Sequence, residues 1–129
     1  MVLSSMSQTQ RPPIYTLLTE LVGWTLNRTA GFPKSQRFTF GQRVDNLTLD
    51  ALMLTVRAIY LPREKKPPLL EELNFQLEQL RVLWRLVHDQ HWISQQQLLF
   101  VSGRIDEIGR MTGGWLKSVG MPGRSSGGG

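Results

Sequence analysis

Two histidines are the side chains best suited to metal chemistry in this sequence, and they lie close together. His88 and His91 are three positions apart, a spacing at which side chains lie on one side of a helix. Imidazole is a common zinc ligand, so the pair could supply half of a metal site. No third histidine exists, and no carboxylate stands at a matching offset in a second segment. We therefore interpret both as polar residues near a helix end and expect no metal and no cofactor.

Adjacent carboxylates occur twice, at Glu71-Glu72 and at Asp106-Glu107. Helical bundles that bind metal pairs use inward-facing Glu-x-x-His repeats, and this sequence contains none. We therefore interpret both acid pairs as solvated helix faces. Because the sequence also lacks cysteine and any Walker or dinucleotide-binding pattern, we expect a protein that is not an enzyme.

One segment combines basic and aromatic side chains and contains no acid. Its four cations are Arg28, Lys34, Arg37 and Arg43, and its three rings are Phe32, Phe38 and Phe40. In proteins that bind single-stranded nucleic acid, basic groups neutralise phosphates while aromatic rings stack on unpaired bases. In the alternative interpretation the rings belong to the core, and the cations only make the surface soluble. The residue types alone leave both interpretations open.

A second pair of cations lies further along the chain. Arg81 and Arg85 are four residues apart, so on a helix they share one side and can contact a polyanion together. Glu78 stands three positions before Arg81, which makes a local ion pair the competing interpretation. We place Arg81 and Arg85 with the first four cations in the predicted set of residues that bind nucleic acid or a partner protein.

The positive charge is distributed unevenly along the chain. The protein carries 15 basic and 10 acidic residues, a net charge of +5. Nine of the basic residues and four of the acids lie in residues 1–66, whereas residues 67–129 carry six of each. Most cations of the first half are arginines, whose planar guanidinium suits phosphates and base stacking. A basic half can indicate a polyanion such as nucleic acid as a partner, but many soluble proteins are mildly basic for no specific reason.

Apolar residues recur at three- and four-residue steps in four segments, which is the period of amphipathic α-helices, and no segment alternates with period two. We therefore predict an all-α, antiparallel, up-down-up-down four-helix bundle. The four stripes are Ile14, Leu17, Leu18, Leu21, Trp24 and Thr25; Phe40, Val44, Leu47, Ala51, Leu54 and Ala58; Leu70, Leu73, Leu77, Leu80, Trp84 and Val87; and Leu98, Val101, Ile105, Ile108, Thr112 and Trp115.

Several residues are expected to mark helix ends. Gly31 suits a left-handed cap after the first helix. Glu71 and Glu72 are expected in the first turn of the third helix, where carboxylates favour the positive end of the helix dipole. Ser94 and Gln97 have the spacing of a capping box at the start of the fourth helix.

The predicted domain organisation is a bundle over residues 12–118, preceded by a disordered tail, residues 1–11, and followed by a flexible Gly/Ser-rich tail, residues 119–129. No apolar run reaches the roughly 18–20 residues that a membrane span requires, and the opening residues lack a signal-peptide pattern. The absence of cysteine fits a reducing compartment. We expect a cytoplasmic protein that does not contact a membrane.

The acid-free segment also carries a resemblance to a known family. Pro13-Ile14-Tyr15 and Trp24 are followed by Phe32-Pro33-Lys34 and by Arg37-Phe38-Thr39-Phe40-Gly41-Gln42-Arg43. This pattern resembles the accessory variability determinant (Avd) family of diversity-generating retroelements, which shares a four-helix fold with proteins encoded by intervening sequences of ribosomal RNA genes. The resemblance is densest over residues 13–60 and continues to about residue 118 as helix pattern.

The resemblance implies an accessory function without catalysis. Avd proteins form barrel-like homopentamers, bind the reverse transcriptase of the retroelement and associate with its template RNA, in support of mutagenic retrohoming. The chain is therefore expected to bind a reverse transcriptase and its template RNA or cDNA as a ring-like homo-oligomer, with a pentamer favoured. Lys34, Arg37 and Arg43 match the family block directly, whereas Arg81 and Arg85 match by helix position only.

Two alternatives accompany this expectation. A second apolar row on the second helix, formed by Leu49, Leu52, Val56 and Ile59, suits either a central helix or a helix that packs against another subunit. Self-association alone would fit a scaffold of the ribosomal intervening-sequence type, without a reverse-transcriptase partner. Within the family block itself the role can be structural, with Phe38 and Gly41 fixing a close helix approach and Arg37 capping or pairing locally.

Overall fold

The structure, a computed structural model, describes residues 11–120, and these residues form four long helices and no strand. A short α-helical turn, Lys34–Gln36, and a π-helical turn, Arg37–Gly41, precede the second long helix, and a 3₁₀ turn, Arg63–Lys65, precedes the third. The predicted all-α class is therefore confirmed. The long helices are α1 (Pro13–Thr29), α2 (Gln42–Tyr60), α3 (Lys66–Asp89) and α4 (Gln95–Ser118).

Each helix packs against the next one along the chain, and α1 also packs against α4, so that the four helices surround one core. Residues 30–33 connect α1 to the short helical turns that lead into α2, residues 61–65 connect α2 to α3, and residues 90–94 connect α3 to α4. These connections are too short to run back along a helix, and neighbouring helices are therefore antiparallel. The ion pair between Arg81 and Asp106 joins the middle of α3 to the middle of α4, as this arrangement requires.

The apolar stripes predict the buried faces closely. In α3 all six residues of the stripe, Leu70 to Val87, are buried. In α2 the prediction differs at Leu54, which is only partly buried, and at Thr48 and Thr55, which are buried although they lie outside the predicted stripe. The Thr55 hydroxyl donates a hydrogen bond to the carbonyl oxygen of Ala51 at 3.0 Å, which satisfies it inside the core.

The end of α3 forms a Schellman motif, and its left-handed residue is a histidine. His91 has a φ of 64°, and it places the N–H of Trp92 within 3.1 Å of the carbonyl oxygen of Val87. The predicted left-handed cap at Gly31 is wrong: between residues 11 and 120, Gly120 is the only glycine with positive φ. At the end of α1, Ala30 stays right-handed and its N–H reaches the carbonyl oxygen of Leu26.

The start of α3 lies earlier than the sequence pattern indicated. The helix begins at Lys66, so Glu71-Glu72 lies beyond its first turn, and the predicted position of these acids is wrong. Pro67-Pro68 fits the first turn because the N–H groups there need no helical partner. The Lys66 ammonium also donates to the carbonyl oxygen of Ala58, which ties the start of α3 to the end of α2.

The start of α4 is capped as predicted. The Ser94 hydroxyl accepts a hydrogen bond from the N–H of Gln97 at 3.1 Å, and the Gln97 side-chain oxygen accepts one from the N–H of Ser94 at 2.8 Å. This reciprocal pair is the capping box, and it satisfies two N–H groups that the helix itself leaves unpaired.

Aromatic rings fill the end of the bundle at which residues 30–33 and 90–94 connect the helices. Phe32 is 1% exposed, and its ring centroid lies 6.3 Å from that of Trp84 and 5.2 Å from that of Trp92. The ring centroid of Trp24 lies 5.2 Å from that of Trp84. Because Phe32 belongs to the connection between α1 and α2, these contacts hold that connection against the core.

The predicted tails, residues 1–11 and 119–129, lie outside the described residues except for Arg11, Val119 and Gly120. Val119 is buried against Ala58 and Leu70, so the core continues to this residue. Among the described residues, no helix has the length and apolar content that crossing a membrane requires.

We expect Phe32→Ala to lower the free energy of unfolding by about 3–5 kcal/mol, because it removes a fully buried ring and leaves a cavity. Phe38→Ala is the matched control, since this ring lies six residues away and is 79% exposed. Urea denaturation followed by circular dichroism measures both changes. Equal losses for the two variants would contradict the anchoring role of Phe32.

We expect His91→Gly to raise the free energy of unfolding by about 1 kcal/mol, because glycine adopts the left-handed conformation without steric cost. His88→Gly, in the last turn of α3, is the control and should instead lower it by about 1 kcal/mol. The same denaturation experiment applies. A destabilising His91→Gly would show that the imidazole makes an essential contact.

Candidate nucleic-acid interface

The four cations of the acid-free segment surround the junction of α1 and α2. Arg28 lies in the last turn of α1, Lys34 opens the short helical turn, Arg37 opens the π-helical turn, and Arg43 follows at the start of α2. Lys34, Arg37 and Arg43 are exposed, and Arg28 is half-buried. We call this surface, formed by Arg28, Lys34, Arg37 and Arg43, the basic end.

The cations of the basic end differ in their partners. Arg37 donates from Nε to the carbonyl oxygen of Phe32 at 3.3 Å, so part of its guanidinium holds the connection in place. The Arg28 guanidinium lies 5.8 Å from the ring centroid of Trp24. Lys34 and Arg43 make no hydrogen bond or ion pair with any residue between 11 and 120, and both charges are available to a phosphate.

The three phenylalanines of the segment divide between core and surface. Phe32 is buried, and Phe40 is half-buried with its centroid 5.7 Å from that of Trp92, so both belong to the core. Of the two interpretations that the sequence left open, these two rings fit the one in which the aromatics belong to the core. Phe38 is 79% exposed and lies in the π-helical turn, an irregularity that frequently occurs at functional sites.

Gly41 has a packing role in the same block. It is buried at the end of the π-helical turn, and a Cβ added there would lie 3.4 Å from the Phe32 ring and 3.7 Å from the Thr29 Cβ. A larger side chain would push the turn away from α1. A hydrogen bond of 2.7 Å from the Thr29 hydroxyl to the Asp45 carboxylate closes the same junction.

A shallow depression lies between α1 and the π-helical turn. It has a volume of about 320 Å³, and Phe38 and Arg37 form part of its wall. Asp45 also lines it, and this is the acid closest in sequence to the basic end. Because the Asp45 carboxylate accepts the hydrogen bond from Thr29, it is engaged in the junction.

Arg81 and Arg85 lie apart from the basic end, on α3. Arg81 pairs with Glu78 at 3.2 Å and with Asp106 of α4. The hydrogen bond to the Asp106 carboxylate raises the pKa of Arg81, against the opposing effect of partial burial. The charge of Arg81 is therefore compensated within the bundle. Arg85 is exposed and has no partner among the described residues.

The two histidines do not share a helix. His88 is in the last turn of α3, whereas His91 lies beyond its end in a left-handed conformation. Within residues 11–120, no three His, Asp or Glu side chains come close enough together to hold a metal ion.

One group of residues could not be predicted from the sequence as a group, because it is assembled from distant parts of the chain. Asn27, Arg28 and Gly31 of the α1 end meet Trp92 and Gln97 around a depression of about 250 Å³. Trp92 lies in a connection and belongs to no apolar stripe, and the two amides carry no charge. Neither periodicity nor charge could therefore have indicated this arrangement.

A second group of cations lies at the opposite end of the bundle and was also absent from the predicted set. Arg63 donates to the carbonyl oxygen of Ser118, and Lys66 donates to that of Ala58, so both stabilise helix ends. Lys65 and Lys117 are exposed. Two aromatic residues accompany this second group: Tyr60, the last residue of α2, is 42% exposed, and the Trp115 ring centroid lies 5.8 Å from the Lys66 ammonium.

The comparison with protein-family models gives one match, to the bAvd-like family, over residues 14–119. Searches of curated proteins and of solved structures find no match. The matched span contains nearly all of the four helices and the whole basic end. The chain therefore belongs to the bAvd-like family, in agreement with the resemblance carried by its Phe32-Pro33-Lys34 and Arg37–Arg43 block.

Proposed function

We propose that this protein is a non-catalytic accessory subunit of a diversity-generating retroelement. It binds the reverse transcriptase and its template RNA or cDNA, and the polymerase chemistry belongs to that partner. Membership of the bAvd-like family supports the accessory function. The observation that supports nucleic-acid binding is the basic end, where Lys34 and Arg43 have no partner among residues 11–120 and stand on either side of the exposed Phe38 in sequence.

The physical case for this surface is that its binding groups are available at little cost. Lys34 and Arg43 break no ion pair when they meet a phosphate, so neutralisation and counterion release contribute fully to affinity. The exposed Phe38 ring offers a stacking face to an unpaired base. The buried Phe32 fixes the connection that carries these groups, so little conformational entropy is lost on binding.

We further propose that the protein assembles into a ring-like homo-oligomer through the outer faces of α2 and α3. Leu49, Met53 and Tyr60 lie on the side of α2 opposite its buried stripe, and all three are exposed. Phe75, Val82 and Leu86 form the corresponding exposed row on α3. Apolar rows of this kind on the outside of a bundle are typical of protein–protein contacts.

The positions of the two rows suit a closed ring. If the α2 row of one copy contacts the α3 row of the next, the two surfaces differ and the contact is heterologous. Copies joined by such contacts form a closed ring when the rotation from one copy to the next is a whole fraction of 360°. The pentamer implied by the family resemblance is our preferred assembly.

We expect Met53→Glu and Val82→Glu each to reduce the assembly to monomers of 14.7 kDa, because each places a charge in one half of the contact. Leu99→Glu is the matched control: Leu99 is 62% exposed, against 50% for Met53 and 56% for Val82, but lies on α4. Light scattering coupled to size exclusion measures the mass.

Mixing the two disrupted variants tests the heterologous contact. Met53→Glu retains an intact α3 row and Val82→Glu an intact α2 row, so an equimolar mixture should form heterodimers and no larger species. A monomeric wild-type protein, or dissociation by Leu99→Glu alone, would contradict the proposed interface.

For RNA binding, we expect the double substitution Lys34→Gln with Arg43→Gln to weaken the affinity for single-stranded RNA roughly tenfold at low salt. It should also reduce the slope of log affinity against log salt by about two, one for each lost phosphate contact. Fluorescence anisotropy of a labelled RNA over a salt series provides both values.

The control for this experiment is Lys65→Gln with Arg110→Gln, which removes the same charges from exposed positions outside the basic end. It should change the affinity much less. If the two double variants lose affinity equally, binding follows net charge rather than this surface.

A scaffold of the ribosomal intervening-sequence type is the second candidate. The exposed apolar rows on α2 and α3 favour it, because they require only self-association. An oligomer whose scattering mass is unchanged by structured RNA at both low and high salt would support this candidate over the accessory function.

A further inference from the structure

We propose that the depression between α1 and α4 is a pocket for a single unpaired guanine base. The inference rests on the proposed function, because RNA or cDNA supplies the base. The lining residues of this α1–α4 pocket are Asn27, Arg28, Gly31, Trp92 and Gln97, and they enclose about 250 Å³.

Arg28 supplies the charge of the pocket. Its guanidinium is half-buried beside Trp24, and its Nε is buried without a hydrogen-bond partner among the described residues. The other guanidinium N–H groups of Arg28 make no hydrogen bond with the described residues, so they can donate to an acceptor atom of a bound ligand.

The wall beside Arg28 is aromatic and held firmly in place. Trp92 is half-buried, and its ring centroid lies 5.2 Å from that of Phe32 and 5.7 Å from that of Phe40. Because those two rings belong to the core, Trp92 cannot turn away without disturbing it. A rigid indole beside a guanidinium forms a surface on which a planar heterocycle can stack.

The remaining polar groups favour a ligand edge that carries acceptors. The side-chain oxygen of Gln97 is occupied by the N–H of Ser94, which leaves its amide nitrogen as donor. Donors from Arg28 and Gln97 match the O6 and N7 acceptors of guanine, whereas adenine presents a donor beside its N7 acceptor. Asn27 is exposed at the rim and adds an amide that can donate or accept.

The size and charge of the pocket favour a base over a phosphate. Its volume lies just below the roughly 300 Å³ at which sites for drug-sized molecules begin, so it holds one planar ring system. Arg28 is the single cation in the lining, and an indole and two amides make up most of the rest. This composition suits stacking and edge recognition better than the neutralisation of a dianion.

The test compares three labelled RNAs: an oligouridine, the same oligouridine with one central guanosine, and the same with one central adenosine. Fluorescence anisotropy with the full-length protein should show about tenfold tighter binding of the guanosine RNA than of the other two. Arg28→Lys keeps the charge but removes the planar fork, and should abolish the guanosine preference while oligouridine binding persists.

A second variant and a control complete the design. Gly31→Leu should also abolish the preference by filling the pocket, and the backbone tolerates it because an added Cβ would meet only the Arg28 carbonyl oxygen, at 3.5 Å. Arg110→Lys, at an exposed position on α4 outside the predicted binding set, should leave all three affinities unchanged. Thermal unfolding of each variant confirms that the fold is retained.

The outcomes separate this inference from the proposed function. Salt-dependent binding with equal affinity for all three RNAs would overturn the pocket and leave the nucleic-acid function standing, as would an Arg28→Lys variant that weakens all three equally. If no RNA binds, free guanosine is titrated against tryptophan fluorescence, with adenosine as control. A guanosine response lost in Arg28→Lys then supports the pocket while the RNA function falls, and no response overturns both.

Discussion

Phe32 lies in the connection between α1 and α2 and buries its ring between Trp84 and Trp92. The connection itself has too few residues to form a core, so its position depends on this one ring. Gly41 lets the π-helical turn approach the same ring, and Arg37 returns a hydrogen bond to the Phe32 carbonyl oxygen. That burial therefore fixes the backbone from which Lys34 and Arg37 of the basic end project.

The family block combines buried and exposed positions. Phe32, Phe40 and Gly41 face the core, whereas Lys34, Phe38 and Arg43 face solvent. Because the buried Phe32 fixes the backbone of the block, its exposed cations and the exposed Phe38 ring keep fixed positions on the surface. The Phe32 ring also packs against Trp92, which lines the α1–α4 pocket. The basic end and this pocket therefore both depend on the packing of Phe32.

Periodicity was sufficient to predict the buried faces, because a helix that packs on one side must repeat its apolar residues; the six buried residues of α3 are the clearest case. It could not predict the burial of Phe32 or Trp92, which lie in connections where no period applies. The early start of α3 cannot be predicted from periodicity, because Pro67-Pro68 suits a loop as well as the first turn of a helix. Of the site, the basic end could be expected from charge, whereas the Arg81–Asp106 pair joins two helices and has no local signature.

The central claim is that the basic end contacts nucleic acid, and ultraviolet cross-linking of the protein to a uridine-rich RNA tests it most directly. Trypsin then releases residues 38–43, which contain the exposed Phe38, and residues 111–117, which contain Trp115 at the opposite end of the bundle. Our account predicts that mass spectrometry finds nucleotide adducts on the first peptide and none on the second. Adducts confined to residues 111–117 would contradict it and assign RNA binding to the opposite end.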